Sequence, residues 1–257
     1  MSQPCSKFVW YELMTSDAQA AAAFYRSVVG WDTKDADMPG SDYTLFLAKG
    51  TDVGGLMTLP EQACAMGVPP CWTGYVSVDD VDAYTARVKA AGGQLVREPE
   101  DIPGVGRFAV VTDPYGAVFN LFKDYSGQTP APIEPDAPGR VGWHELHAGD
   151  GAGAFAFYSS LFRWTRAEAM DMGPLGVYQM FAIDGVPVGG MMTKTAEVAQ
   201  PFWLYYFNVA ALDAAVARVT EGGGKLLVEP HEVPGGSSIV NCTDPQGAVF
   251  ALVAPKR

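Results

Sequence analysis

Positive charge is scarce in this 257-residue chain: 17 Lys and Arg stand against 29 Asp and Glu, a formal charge of −12. The cationic side chains form no cluster, which excludes the electrostatic footprint of a nucleic-acid or anionic-membrane binder. Long hydrophobic runs are missing too. Ala20–Tyr25 is among the longest, far short of the ~20 apolar residues of a membrane span. Met1–Lys7 shows no basic segment followed by an apolar one, so no secretory leader is expected. Cysteine is sparse. Cys5, Cys64, Cys71 and Cys242 form no C-x-x-C pair, and free thiols in a cytoplasmic protein are expected. What is present is globular: 48% hydrophobic and 18% charged residues, in a chain long enough to bury roughly 70–75% of its unfolded surface.

The chain repeats itself. Trp10-Tyr11-Glu12-Leu13 returns as Trp143-His144-Glu145-Leu146, Phe24-Tyr25 as Phe157-Tyr158, and Trp31 as Trp164, all at an offset of 133. Val53-Gly54-Gly55 returns as Val188-Gly189-Gly190. Gly92-Gly93 and Thr112-Asp113-Pro114 return as Gly223-Gly224 and Thr243-Asp244-Pro245. Order is preserved throughout, as a duplication requires. Residues 124–140 between the copies are proline-rich and lack a hydrophobic period, so they read as a linker joining domains 1–123 and 141–257.

Within each copy the pattern is β-α-β-β-β performed twice. Phe8–Met14 reads as a strand, and Asp17 caps a helix over Ala18–Val29. Strands follow at Tyr43–Ala48, Val53–Leu59 and Trp72–Val78. A helix then runs from Asp79/Asp80 to Ala91, stopped by Gly92-Gly93. Strands near Leu95, at Phe108–Val111 and at Ala117–Phe122 close the copy, the last two joined by an Asp113-Pro114-Tyr115-Gly116 turn.

These motifs resemble the vicinal-oxygen-chelate superfamily of glyoxalases, bleomycin-resistance proteins and extradiol dioxygenases, and within it the two-domain subgroup related to lactoylglutathione lyase. The resemblance implies an α+β fold: tandem glyoxalase-like domains whose four βαβββ modules form two half-barrel clefts. It also implies a divalent metal such as Zn, Ni, Mn or Fe, which would polarise a substrate oxygen. The family's ligand positions fall here on Trp10 and Trp143, Gly74 and Tyr205, and Asn120 and Ala251, with a fourth on Val53–Leu59 or Val188–Thr193. None carries a usual ligand, so no metal is expected.

Strand alternation then nominates what lines the clefts instead. The first strand presents Trp10, Glu12 and Met14 in one copy and Trp143, Glu145 and His147 in the other. The fifth strand is expected to present Trp72 and Gly74, or Trp203 and Tyr205, and the last strand Asn120 or Ala251. Tyr43 and Tyr178 lie on matching strands. The resemblance suggests pairing across copies: Trp10 and Glu12 with Trp203, Tyr205 and Ala251, and Trp143, Glu145 and His147 with Trp72, Gly74 and Asn120. Aromatic walls suit a planar, partly apolar ligand, and also suit a plain core. An inward carboxylate such as Glu12 or Glu145 is costly unless bonded; it serves either structure or acid–base chemistry. The Gly54-Gly55 and Gly189-Gly190 pairs read as strand bends.

The expected protein binds a small aromatic or carbonyl-bearing metabolite, with lyase- or isomerase-type chemistry on Glu145, His147 and Glu12. A non-catalytic sequestering protein and a metal-dependent lyase or dioxygenase with relocated ligands stay open, as does the choice between monomer and homodimer.

Overall fold

The computed structural model describes residues 6–37, 42–127 and 136–255. The first copy contains β1 (Phe8–Thr15), α1 (Ala18–Val28), β2 (Asp32–Asp35), β3 (Tyr43–Ala48), β4 (Thr51–Thr58) and a short α2 (Glu61–Ala65). It continues with β5 (Cys71–Ser77), α3 (Val81–Ala90), β6 (Gln94–Ile102), β7 (Gly106–Thr112) and β8 (Val118–Asp124). The second copy opens with β9 (Val141–Ala148), α4 (Gly151–Phe162), β10 (Thr165–Asp171), β11 (Val177–Ile183) and β12 (Val186–Thr193). It ends with β13 (Phe202–Asn208), α5 (Leu212–Glu221), β14 (Lys225–Leu226), β15 (His231–Glu232), β16 (Ser238–Thr243) and β17 (Val249–Ala254). The fold is α+β, built from four βαβββ modules. The middle of the expected linker, 128–135, lies outside the described residues.

Local chemistry sets these elements. Asp17 caps α1 by accepting the Ala20 N–H at 2.9 Å, and Asp80 caps α3 by accepting that of Ala83 at 2.9 Å. Asp150 does the same for α4 from Ala152 at 3.1 Å. In the first copy two elements escape the sequence pattern. β2 is the polar run Asp-Thr-Lys-Asp, held as an edge beside β3, and α2 is a single exposed turn and a half. In every module the first strand pairs in parallel with the last: β1 with β4, β5 with β8, β9 with β12 and β13 with β17.

The chain divides into two compact units, each drawing on both copies. Among the described residues, one gathers 10–37, 42–72, 136–142 and 204–255; the other gathers 6–9, 73–127 and 143–203. In the first, strands run in the orders β2-β3-β4-β1 and β13-β17-β16-β14, with β15 on β16. In the second the orders are β10-β11-β12-β9 and β5-β8-β7-β6.

The Phe-Tyr and Asp-Pro motifs join the copies within each unit. Tyr25 of α1 is fully buried among Trp31, Phe46, Trp72, Phe207 and Phe250. Its hydroxyl accepts the Trp72 indole N–H at 2.8 Å and donates to Asp244 at 3.1 Å. In the other unit the Tyr158 hydroxyl accepts the Trp203 N–H at 3.1 Å and donates to Asp113 at 3.4 Å. A helix of one copy is thus bonded to the turn of the other. Both aspartates also accept turn N–H groups, yet burial raises their pKa above the ordinary carboxylate value. Arg218 and Arg87 complete the joints by bonding the last carbonyls of α1 and α4.

Candidate functional site

On the face opposite these cores, each copy builds the same hydrogen-bonded trio. In the first, the Trp10 indole N–H donates to the Tyr43 hydroxyl at 3.0 Å, and that hydroxyl donates to Glu12 Oε2 at 2.7 Å. In the second, Trp143 donates to Tyr178 at 2.7 Å and Tyr178 donates to Glu145 Oε2 at 3.1 Å. Burial first, then the neighbouring carboxylate, raises both tyrosine hydroxyls above their ordinary pKa, so each stays protonated as the donor.

The glycine pairs make this geometry possible. Gly55 stands beside Glu12 in the β1–β4 register, and Gly190 beside Glu145 in the β9–β12 register. A Cβ on Gly55 would overlap the Tyr43 hydroxyl, and one on Gly190 would overlap the Tyr178 ring. The second glycine of each pair therefore clears the path by which tyrosine crosses a strand to reach the carboxylate. Beyond any bend, the spacing carries this signal: tyrosine precedes that glycine by 12 residues in both copies.

The copies differ in what faces the carboxylate. Beside Glu12 are Met14, in register with Met57, and Cys71, whose thiol is pushed up to about 11 by burial and then by the Glu12 charge. Beside Glu145 is His147, its Nε2 2.8 Å from Oε1, with the two side chains 17% and 13% exposed. That separation has hydrogen-bonding length, but Nε2 makes no hydrogen bond of good geometry there. The His147 ring stacks on Phe202 with centroids 4.8 Å apart and planes within 4°. Partners in register share a face, so Met170 beside Tyr178, Met180 beside Gly190 and Met192 beside His147 border the same group.

Three of the nominated aromatic residues lie elsewhere, which corrects the expected face of β5 and β13. Tyr75 pairs with Asn120, so Cys71, Thr73 and Tyr75 share the Asn120 face, while Trp72 turns to the core beneath α1. Trp203 likewise packs against Tyr158, Trp164 and Phe181. Tyr205 meets Tyr11 edge-on, with ring centroids 5.2 Å apart. First and fifth strands of different copies do meet there, on the face away from Glu12, so Tyr205 does not join Trp10 and Glu12 as expected. The volume between helix and sheet demanded large rings, and a one-residue shift in facing exchanged the sets. Asn120 is buried and donates to Thr73 Oγ1 at 2.9 Å and to the Gly74 carbonyl at 3.4 Å. A shallow depression of about 410 Å³ near the end of α1, bordered by Arg26, Trp31 and Asp32, includes no trio residue.

His144 points into the core, stacked on Phe8 at 4.5 Å, with Nδ1 2.8 Å from the Val188 carbonyl. Burial depresses it to about 4, so it is neutral and donates from Nδ1. The donors present do not fit the superfamily's divalent ion. Trp10, Trp143, Gly74, Tyr205, Asn120 and Ala251 stand at the positions that the resemblance assigns to metal ligands, and among the described residues no three His, Cys, Asp or Glu side chains converge. No helix among the described residues is long and apolar enough to cross a membrane.

Comparison with known proteins agrees with this architecture. CFP32 of Mycobacterium tuberculosis, which carries a provisional glyoxylase name, is 32% identical over 250 residues, covering 96% of this chain and 94% of its own. The anthracycline biosynthesis protein DauV of a Streptomyces species is 34% identical over 257 residues, covering 95% and 91%. The crystal structure of the Mn(II)-bound glyoxalase from Novosphingobium aromaticivorans superposes with a TM-score of 0.65 at 18% identity, covering 98% of this chain and 82% of that one; it shares the fold. The family profile matches twice, at residues 7–121 and 140–252. The chain belongs to the glyoxalase/bleomycin resistance protein/dioxygenase superfamily.

Proposed function

We propose that this chain is a cytoplasmic protein that binds a small aromatic or carbonyl-bearing metabolite on the face of the trios. We further propose that it acts on that ligand by lyase- or isomerase-type proton transfer through Glu145 and His147, without the superfamily's metal. The observation that carries this reading is the Trp143–Tyr178–Glu145 trio ending on a partly exposed His147. Trp143 offers a flat apolar wall, the methionines offer a surface that adapts to shape, and the carboxylate–imidazole pair offers a proton acceptor and donor. The 34% identity to a protein named for anthracycline biosynthesis favours a polycyclic aromatic ligand. The free thiols of Cys64, Cys71 and Cys242 suit a reducing compartment.

Sequestration without turnover is the second reading. It is favoured by the first copy, which repeats the aromatic–carboxylate frame but has Met14 where the second has His147. Titration of the full chain with an anthracycline, followed by its quinone fluorescence, separates the two. Trp143→Ala should weaken binding at least tenfold, while Glu145→Gln and His147→Gln should leave affinity within threefold and abolish product formation. Binding with no product from the unaltered chain would favour sequestration. Calorimetric titration with Mn²⁺, Ni²⁺ and Zn²⁺ should show no stoichiometric binding; tight one-to-one uptake would refute the metal-free reading.

A further inference from the structure

We propose that the atom accepting a proton from the ligand is His147 Nδ1, and that Glu145 is a positioning residue which fixes the imidazole tautomer; this rests on the acid–base reading above. His147 Nε2 is sealed from solvent and lies 2.8 Å from Glu145 Oε1. An unprotonated Nε2 would set its lone pair against a carboxylate oxygen at that distance. The neutral ring therefore carries its hydrogen on Nε2, and the sign of that interaction holds even where the N–H is not collinear with the oxygen.

The other edge is then a lone pair. Nδ1 has no hydrogen-bond partner among the described residues, and the side chain keeps 17% of its surface open. Glu145 cannot easily serve in its place. Its Oε2 accepts from Tyr178, whose hydroxyl is held in turn by Trp143, and the imidazole edge lies 2.8 Å from its Oε1. Phe202 holds the ring plane, while the carboxylate selects which edge faces inward.

The ligand class follows. A group with a C–H beside a carbonyl, or a ring hydroxyl, gives its proton to Nδ1 and keeps the bonding electron pair as an enolate or phenolate. Return of that proton from Nδ1 to a different ligand atom completes an isomerisation with all atoms accounted for. Met14 replaces the imidazole in the first copy, so this step belongs to the second copy alone.

The test is the imidazole tautomer, read by long-range proton–nitrogen correlation on the full chain labelled with ¹⁵N-histidine at pH 8.5, above the ordinary histidine range. His144 serves as an internal reference of opposite tautomer, because its Nδ1 faces the Val188 carbonyl. The His147 signal should show Nε2–H over Nδ1–H by at least tenfold. Glu145→Ala should bring the ratio down to the modest intrinsic Nε2–H preference of a free histidine side chain, and the milder Glu145→Gln should lower it in the same direction. An Nδ1–H ring in the unaltered chain, or a ratio unmoved by both substitutions, would overturn the inference. Anthracycline binding accompanied by the wrong tautomer would remove this assignment alone. The stated tautomer without anthracycline binding would leave the positioning role and remove the ligand reading.

Discussion

Replacing Gly190 with alanine tests whether the glycine exists to seat Tyr178 over Glu145. The backbone there is ordinary extended chain, so the cost is one of space: a Cβ would lie closer than the 3.0 Å that real Cβ contacts keep, against the Tyr178 ring. Overpacking of this kind costs about 1–3 kcal/mol. Displacing the ring also strains two hydrogen bonds, from Trp143 and to Glu145, each worth about 1 kcal/mol. Gly190→Ala should therefore destabilise the unit by about 3 kcal/mol, or very roughly 6–12 °C in Tm for a chain of this size. In a Tyr178→Ala background the collision is gone, and alanine in a strand is favoured over glycine by about 0.5–1 kcal/mol. The two substitutions should couple by about 3.5–4 kcal/mol in a double-mutant cycle, read from urea unfolding followed by tryptophan fluorescence. A coupling below about 1 kcal/mol would show that Gly190 does not act through Tyr178.

The histidine in the core predicts acid sensitivity. His144 is depressed to about 4 by burial, whereas an unfolded histidine titrates near 6.5, so the unfolded state binds more protons between these values. The stability it contributes is complete above about pH 6.5 and is lost as pH falls toward 4, by up to about 3 kcal/mol. Comparing thermal unfolding of His144→Gln with the unaltered chain at pH 7 and pH 4.5 should show the gap narrowing in acid; Asp113 and Asp244, raised by burial, titrate with the opposite sign and cancel in that comparison. Trp72→Phe removes a buried donor to Tyr25 and should cost about 2–3 kcal/mol without changing anthracycline affinity. A fall in that affinity matching the fall seen with Trp143→Ala would contradict the placement of Trp72 in the core. Finally, Met14→His should give the first copy an imidazole facing Glu12, visible as an additional histidine signal in the Nε2–H tautomer; an Nδ1–H signal would show that the two carboxylates do not direct a ring alike.

How much of this was legible from the chain depends on the distance over which each signal acts. Asp17 and Asp80 announce their helices because a cap acts over three residues, and Asp113-Pro114 announces its turn for the same reason. The repeat exposed the module plan, since identical offsets need no knowledge of packing. The facing of β5 was not legible. Cys71, Trp72, Thr73, Gly74 and Tyr75 offer no alternation of polar and apolar groups, because both faces of the strand are covered, so nothing in the run says which set turns inward. The bond from Tyr25 to Asp244 spans 219 positions and joins two motifs that look complete on their own. The trio lies between these extremes. Trp10 and Glu12 share a face by alternation alone, but Tyr43 reaches them only because Gly55 has no side chain, a relation that crosses two strands and becomes visible once the registers are known. Once seen, it also explains why the frame occurs twice while the imidazole occurs once. The tyrosine, glycine, tryptophan and carboxylate constrain one another sterically and must be kept as a set, whereas position 14 or 147 touches the set at its edge and is free to hold either methionine or histidine.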